Sequence, residues 1–328
     1  MMETRITRCL LAAFLIALAP VSSALEIDRY PELEDLIRTM VSEDGYPEEE
    51  LRNVIASSKI NRKTLELMDR QWEALPWHKY RELFINQSRI NRGVRFWNKH
   101  EALLKRAEAT YGVPASVIAA IIGVETHYGT RMGSSNVLDS LVTLTAAYPR
   151  RSKFFKNELR VFLKLTRSES IDPGSVQGSF AGAIGIPQFM PSSYEAYSVD
   201  FNDNGVRDLV NEVDDAIGSV ANYLKTHGWK PGQDIYSKVA GELPENASAL
   251  TGKKAIPTHA ISDLIKAGIT FNSHRASEKA ALVGQEQANG DIRYIVVYNN
   301  LYVITRYNNS INYAMAVTEL SEELERKR

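Results

Sequence analysis

The segment Pro114-Ala115-Ser116-Val117-Ile118-Ala119-Ala120-Ile121-Ile122-Gly123-Val124-Glu125-Thr126-His127-Tyr128-Gly129 is uncharged until Glu125. Gly112-Val113-Pro114 breaks the element before it, and proline suits the first turn of a new helix. On that helix Glu125 shares a face with Ile118, Ile121 and Ile122. An ionised carboxylate on an apolar face is costly, so burial there favours the protonated form. The partial negative charge at the helix C-terminus pushes the same way. A carboxyl kept neutral is what a general acid requires. The same spacing also suits a glutamate paired to an arginine or bonded to backbone, and spacing alone does not choose.

Outward from this segment the chain is mostly helical. Glu48, Glu49 and Glu50 start a helix that turns Leu51, Val54 and Ile55 to one side. Asn61 caps the next, with Leu65, Met68, Trp72 and Leu75 inward and Pro76 at its end. One long helix is predicted over 88–111, burying Val94, Trp97, Leu104 and Ala107. Helical periodicity resumes at Val213, Ile217, Val220 and Leu224 and stops at Gly228. Beyond Gly232 the texture changes. Strands are predicted over 234–240, 281–285 and 291–298, with a short helix over 261–266. Asn299-Asn300 signals a turn, so 301–306 is expected to pair back as a hairpin. A last helix covers about 310–324.

Composition narrows the class. The chain has 328 residues, 44% hydrophobic and 24% charged, which excludes wholesale disorder. A net charge of −1 gives no whole-chain basic footprint, so nucleic acid is not an expected partner. Arg5 and Arg8 precede an apolar run over 10–19, followed by Pro20 and by Ser22-Ser23-Ala24. That order is a secretory signal peptide cleaved after Ala24. The run is about ten residues, whereas a spanning helix needs about 20, so no integral membrane segment is expected after cleavage. Cys9, the single cysteine, lies inside this segment and lacks the small-residue context of a lipidated cysteine. The mature chain therefore has no thiol chemistry, and the expected compartment is the periplasm.

Three further stretches stand out: Tyr148-Pro149-Arg150-Arg151, the glycine-rich run from Gly178-Ser179-Phe180 through Gln188-Phe189-Met190-Pro191-Ser192, and Thr305-Arg306-Tyr307-Asn308. Together with Glu125-Thr126-His127-Tyr128-Gly129, they resemble the lytic murein transglycosylases of the membrane-bound B type, which have a goose-lysozyme-like core. The resemblance covers roughly half of the mature chain. It implies a mainly α (α+β) fold: a signal peptide over 1–24 and an N-terminal helical region over 25–110 packed with the C-terminal helix over 308–328. A lysozyme-like catalytic core over 111–230 and a small β-rich module over 231–307 complete it. It also implies that Glu125 is the catalytic acid, with Ser179 and Gln188 lining the saccharide cleft. By the same resemblance Arg150 and Arg151 sit at the substrate groove, and Tyr223, Tyr307 and Asn308 lie near the reacting sugar. Tyr80 matches a further cleft tyrosine.

Most glycosidases use two carboxylates, yet no second acid sits beside Glu125, and Asp139 is the next along the chain. Substrate-assisted cleavage of an N-acetylated sugar needs only one. The implied reaction splits the bond between N-acetylmuramic acid and N-acetylglucosamine without water, giving a 1,6-anhydromuramoyl end. A hydrolytic muramidase and a non-catalytic peptidoglycan-binding protein stay open as alternatives. No cofactor is implied for catalysis. The expected partners are peptidoglycan glycan strands, with cell-wall synthases as a further candidate class, and the chain is expected to be monomeric.

The run from Asp200 to Asn211 follows the EF-hand spacing of oxygen ligands, with glycine at its sixth place. Asp200, Asn202, Asn204, the Val206 carbonyl, Asp208 and Asn211 are the expected ligands of a structural calcium. The last place normally carries a bidentate glutamate, and here Glu212 falls one residue late. Weak binding, or a metal-free turn, follows from that defect. His-Glu-x-x-His, P-loop and dinucleotide signatures are absent from the sequence.

Overall fold

A computed structural model describes residues 24–69, 75–272 and 278–328. The leader assigned to residues 1–24 lies outside them up to residue 23, as does Trp72. The elements run α1 (Pro31–Asp44), α2 (Glu48–Ala56), α3 (Arg62–Met68), α4 (Trp77–Phe84), α5 (Gln87–Lys99), α6 (Glu101–Tyr111) and α7 (Ala115–Thr126). There follow β1 (Ser135–Asn136), α8 (Val137–Ala147), α9 (Ser152–Ser168), β2 (Gln177–Gly178), α10 (Pro191–Tyr197) and α11 (Val213–Thr226). The late part holds β3 (Tyr236–Ala240), β4 (His259–Ala260), α12 (Ile261–Lys266), β5 (Thr270–Phe271), β6 (Lys279–Glu286) and β7 (Ile292–Val297). It closes with α13 (Asn299–Tyr307) and α14 (Ile311–Lys327). The fold is mainly helical, as expected, with a two-stranded β1-β2 ribbon and one small five-stranded antiparallel sheet in the late part.

Helix α7 is the axis of the core. All its residues except Glu125 are buried, which is why the segment is apolar on every side rather than on one stripe. Helices α5, α6, α11 and α14 pack around it. Asn61, Asn86, Asn136 and Ser310 each accept a backbone N–H from the first turn of the helix they precede. Those bonds set where α3, α5, α8 and α14 begin.

Two expectations are corrected. The helix predicted over 88–111 is two helices broken at His100, whose backbone leaves the helical region at φ −114°, ψ 24°. The break lets α5 lie against α7 and α14 while α6 turns to α11 and α7. Local periodicity was compatible with either arrangement, and packing chose. The hairpin predicted over 301–306 is helix α13. Asn300 makes no turn there: it is buried, and its amide bonds the backbone of Lys230 and Gln233. Leu301, Ile304 and Thr305 are then buried on one helical face, overriding their strand propensity.

The five-stranded sheet has the order β4-β6-β7-β3-β5 and is antiparallel throughout. One of its faces joins the main core through Ala281, Val283, Ile295 and Val297. The other covers a small second core of Ile261, Leu264, Leu282 and Val296. Glu319 of α14 pins the sheet to the helices, pairing with Arg81 of α4 at 2.5 Å and Arg293 of β7 at 3.1 Å.

Candidate active site

Helix α7 ends in an unusual way. His127, Tyr128 and Gly129 all have positive φ, at 52°, 62° and 78°. Left-handed backbone at a non-glycine residue costs of order 1–3 kcal/mol and persists only where its surroundings over-determine it. Here they do. The Tyr128 ring fills a slot made by two glycines, for a Cβ on Gly123 would lie 2.6 Å from its hydroxyl and one on Gly93 2.2 Å. Thr126 donates its hydroxyl to Ile186 O at 2.8 Å and accepts the Gly129 N–H at 2.9 Å. Arg89, half-buried, donates to Gly123 O at 3.2 Å and places positive charge at the helix C-terminus. Burial lowers the Arg89 pKa from its ordinary value.

Glu125 is thereby held half-buried, one turn from this anchor. Tyr313, in the first turn of α14, donates its hydroxyl to Glu125 Oε1 at 2.6 Å. The Tyr307 ring stacks on Tyr313, centroids 6.3 Å apart and planes 14° from parallel. Tyr307 in turn donates to Pro187 O at 2.6 Å, and its ring lies 4.8 Å from that of Tyr223. Burial, then the neighbouring Glu125 carboxylate, push both the Tyr307 and Tyr313 hydroxyls well above the ordinary tyrosine range. Both stay protonated at any physiological pH, so Tyr313 is a permanent donor to the acid. Tyr80, buried in α4, is among the groups that face Tyr313.

The other expected residues divide. Tyr223 lies in the same aromatic wall, its hydroxyl donating to Arg306 O at 2.5 Å. Asn308 ends α13 between Tyr307 and the turn into α14. Gln188, at φ 52°, donates to Met132 O at 3.0 Å and Gly185 O at 2.9 Å, tying the glycine-rich loop to the chain that follows α7. The Ser179 hydroxyl accepts the Ala181 and Ala183 N–H groups and so shapes the start of that loop. Arg150 and Arg151 are exposed on the turn between α8 and α9. Arg150 pairs with Asp69 at 3.1 Å, and Arg151 covers the Phe154 and Phe155 rings. Sequence reasoning missed Tyr313. Its only signal is a tyrosine at the start of an apolar helix, six residues beyond Tyr307.

The 200–212 loop departs from the expected ligand order. Asp208 accepts the Val210 and Asn211 N–H groups and the Asn211 side-chain amide, so Asp208 and Asn211 engage each other. Glu212 swings in instead, accepting from Asn202 at 2.5 Å and from Asn204 at 2.9 and 3.0 Å. Asp200 accepts the Asn204 and Gly205 N–H groups. Two carboxylates and two amides thus converge, with amide N–H groups standing where a cation would satisfy the oxygens. Among the described residues no group of three acidic, histidine or cysteine side chains is placed to hold a metal.

Comparison with known proteins fits this arrangement. Residues 28–322 match the model of the transglycosylase SLT domain. The chain is 39% identical over 302 residues to membrane-bound lytic murein transglycosylase B of Escherichia coli, covering 89% of this chain and 82% of that one. Soluble lytic transglycosylase SltB1 of Pseudomonas aeruginosa superposes with a TM-score of 0.85 at 42% identity, over 91% of this chain and 99% of the other. Escherichia coli lytic transglycosylase Slt35, solved in complex with calcium, gives 0.84 at 39% identity over 93% and 96%. Pseudomonas aeruginosa SltB3, solved with NAG-anhNAM-pentapeptide, gives 0.76 at 29% identity over 89% and 78%.

Proposed function

Because the chain belongs to the transglycosylase SLT family and is a lytic transglycosylase of peptidoglycan, we propose that Glu125 alone performs its acid and base steps. The observation that carries this reading is the surrounding of Glu125: a carboxyl bonded to Tyr313 and backed by a second neutral tyrosine. Other acids of the core are committed elsewhere. Asp139 accepts the Lys59 N–H at 2.8 Å, and Glu158 accepts both the N–H and the hydroxyl of Ser192.

In the proposed reaction Glu125 gives its proton to the glycosidic oxygen between N-acetylmuramic acid and N-acetylglucosamine. The C1–O bond breaks, the N-acetylglucosamine side leaves with a restored hydroxyl, and the acetamido oxygen stabilises the positive anomeric carbon. The Glu125 carboxylate then takes the proton of the muramoyl 6-hydroxyl as O6 bonds to C1. Glu125 is protonated again, and no water is consumed. The Tyr313 hydroxyl stabilises the carboxylate between the two steps, where its negative charge is greatest.

The same reading places the substrate, the glycan strand, along the Tyr307–Tyr223 wall, and Ser179 keeps its hydroxyl hydrogen to donate towards the acetamido group. The 200–212 loop is proposed to hold a structural calcium through Asp200, Asn202, Asn204, the Val206 carbonyl and Glu212, all hard oxygen donors. No single helix among the described residues is long and apolar enough to cross a membrane. With the leader over 1–24, the proposed compartment is the periplasm, where the substrate lies.

Mass spectrometry of products released from purified sacculi tests the assignment. The unmodified protein should release muropeptides one water lighter than their reducing-end counterparts. Glu125→Gln should lower that rate by about 10²–10⁴. Reducing muramoyl ends would make it a hydrolase, and an active variant would remove Glu125 from its role.

A further inference from the structure

Helix α14 packs directly on α7. Helix α13, which carries Tyr307 and ends at Asn308, is joined to α7 by hydrogen bonds through one dipeptide. The Ile186 carbonyl accepts the Thr126 hydroxyl of α7 at 2.8 Å, and the next carbonyl, Pro187 O, accepts the Tyr307 hydroxyl of α13 at 2.6 Å. Thr126 directly follows Glu125, and Tyr307 stacks on the Tyr313 ring whose hydroxyl holds the acid.

The dipeptide is a firm support. The Ile186 N–H donates to Leu209 O at 2.8 Å, which backs it from the 200–212 loop. Gly185, at φ 75°, packs against that same carbonyl, where a Cβ would lie at 2.4 Å. The Pro187 ring fixes its own φ. Gln188 closes the far side through Met132 O and Gly185 O. The Thr126 hydroxyl is fully used, because it also accepts the Gly129 N–H at 2.9 Å. Thr126 and Ile186 are both buried, so solvent would not make good a lost bond.

We infer that Ile186-Pro187 is a clip that fixes the reach from Glu125 to the Tyr307–Asn308 end of α13, and that Thr126 is a positioning residue acting through it. The two hydrogen bonds are links in series, so loss of either releases the spacing that both maintain. Proton transfer to the glycosidic oxygen and from the 6-hydroxyl demands sub-ångström placement of the carboxyl. Binding of the strand is spread over many contacts and tolerates a small shift. The inference rests on the reading of Glu125 as the acid and adds what keeps that acid in register with the far wall of the site.

Release of anhydro ends from soluble glycan strands gives kcat and KM, and strand affinity is read by anisotropy on Glu125→Gln protein. Thr126→Val keeps the branched shape but removes both hydroxyl bonds. It should lower kcat about 10- to 100-fold, while KM, and Kd on the Glu125→Gln background, stay within about twofold. Thr126→Ser restores the hydroxyl and should recover most of the rate. Thr143→Val controls for general softening: Thr143, buried in α8, likewise accepts the Asn61 N–H at 2.9 Å and donates to Lys59 O at 3.3 Å. It should lower Tm comparably and leave kcat within about twofold. Because the links are in series, adding Tyr307→Phe to Thr126→Val should slow turnover less than about threefold beyond the worse single variant. Losses that multiply in the double variant, an equal loss of kcat in Thr143→Val, or a loss confined to strand affinity would each overturn the inference. An active Glu125→Gln protein would instead remove the reading beneath it, whatever the Thr126 variants do.

Discussion

Helix α7 and the sheet that ends at Val297 handle local conformational rules in opposite ways. In the described part of the sheet region, from Pro231 to Val297, every residue with positive φ is a glycine: Gly232, Gly241, Gly268 and Gly290. At the catalytic end of the core, left-handed backbone also falls on residues other than glycine: His127 and Tyr128, with Gln188 across the loop that packs on them. The sheet region follows the propensities its sequence states. The core breaks them where packing is dense enough to hold the strain, and that is where Glu125 sits. A reacting carboxyl must be fixed to a fraction of an ångström.

Breaking the core side of this contrast should cost turnover most. Tyr313→Phe removes one hydrogen bond to a charged acceptor, worth about 1.5–3 kcal/mol, so kcat should fall about 10- to 100-fold. KM and Tm should barely move; a change confined to KM would make Tyr313 a substrate contact instead. The 200–212 loop should respond next. Calcium at a hundred times its Kd should stabilise the protein by about 2.7 kcal/mol, read by calorimetry. Glu212→Gln should abolish that gain and Asn211→Ala should retain it. The reverse pattern would restore the ligand order suggested by the sequence.

Glycines sharpen the comparison further. Gly123→Ala drives a methyl into the Tyr128 ring and should cost about 1–3 kcal/mol together with part of the activity. Gly290→Ala meets no neighbouring atom within 4 Å and should cost about 1 kcal/mol through its φ of 84° alone, with turnover intact. Equal losses of activity would remove the distinction between the two regions.

The N-terminal helices should contribute to stability and leave turnover untouched. Asp44 lies against Arg160 at 2.6 and 2.9 Å, and that guanidinium holds its carboxyl below the ordinary value of 3.8. Its contribution is therefore complete above pH 3.8 and is lost as pH falls through the lowered value in the folded protein. Asp44→Asn should cost about 1–2 kcal/mol at neutral pH and flatten the acid limb of stability without changing kcat.

Much was legible in the chain itself. The uncharged run into Glu125 announced a buried helix with one acid at its end, and the spacing of Val213, Ile217, Val220 and Leu224 announced α11. The motifs around Ser179, Gln188 and Tyr307 indicated the family, and the strand-like runs over 234–240, 281–285 and 291–298 announced a sheet. These are properties of short windows, where hydrophobic period, caps and turn residues act on neighbours. Tertiary structure alone decided the rest. It broke the helix at His100 because α5 and α6 face different partners, and it made 299–307 a helix because Asn300 found the backbone of Lys230. It turned Glu212 rather than Asn211 into the loop, and it brought Tyr313 across 188 residues of chain to Glu125. Each of these depends on which distant group fills a space or satisfies a polar atom, and no local window carries that information.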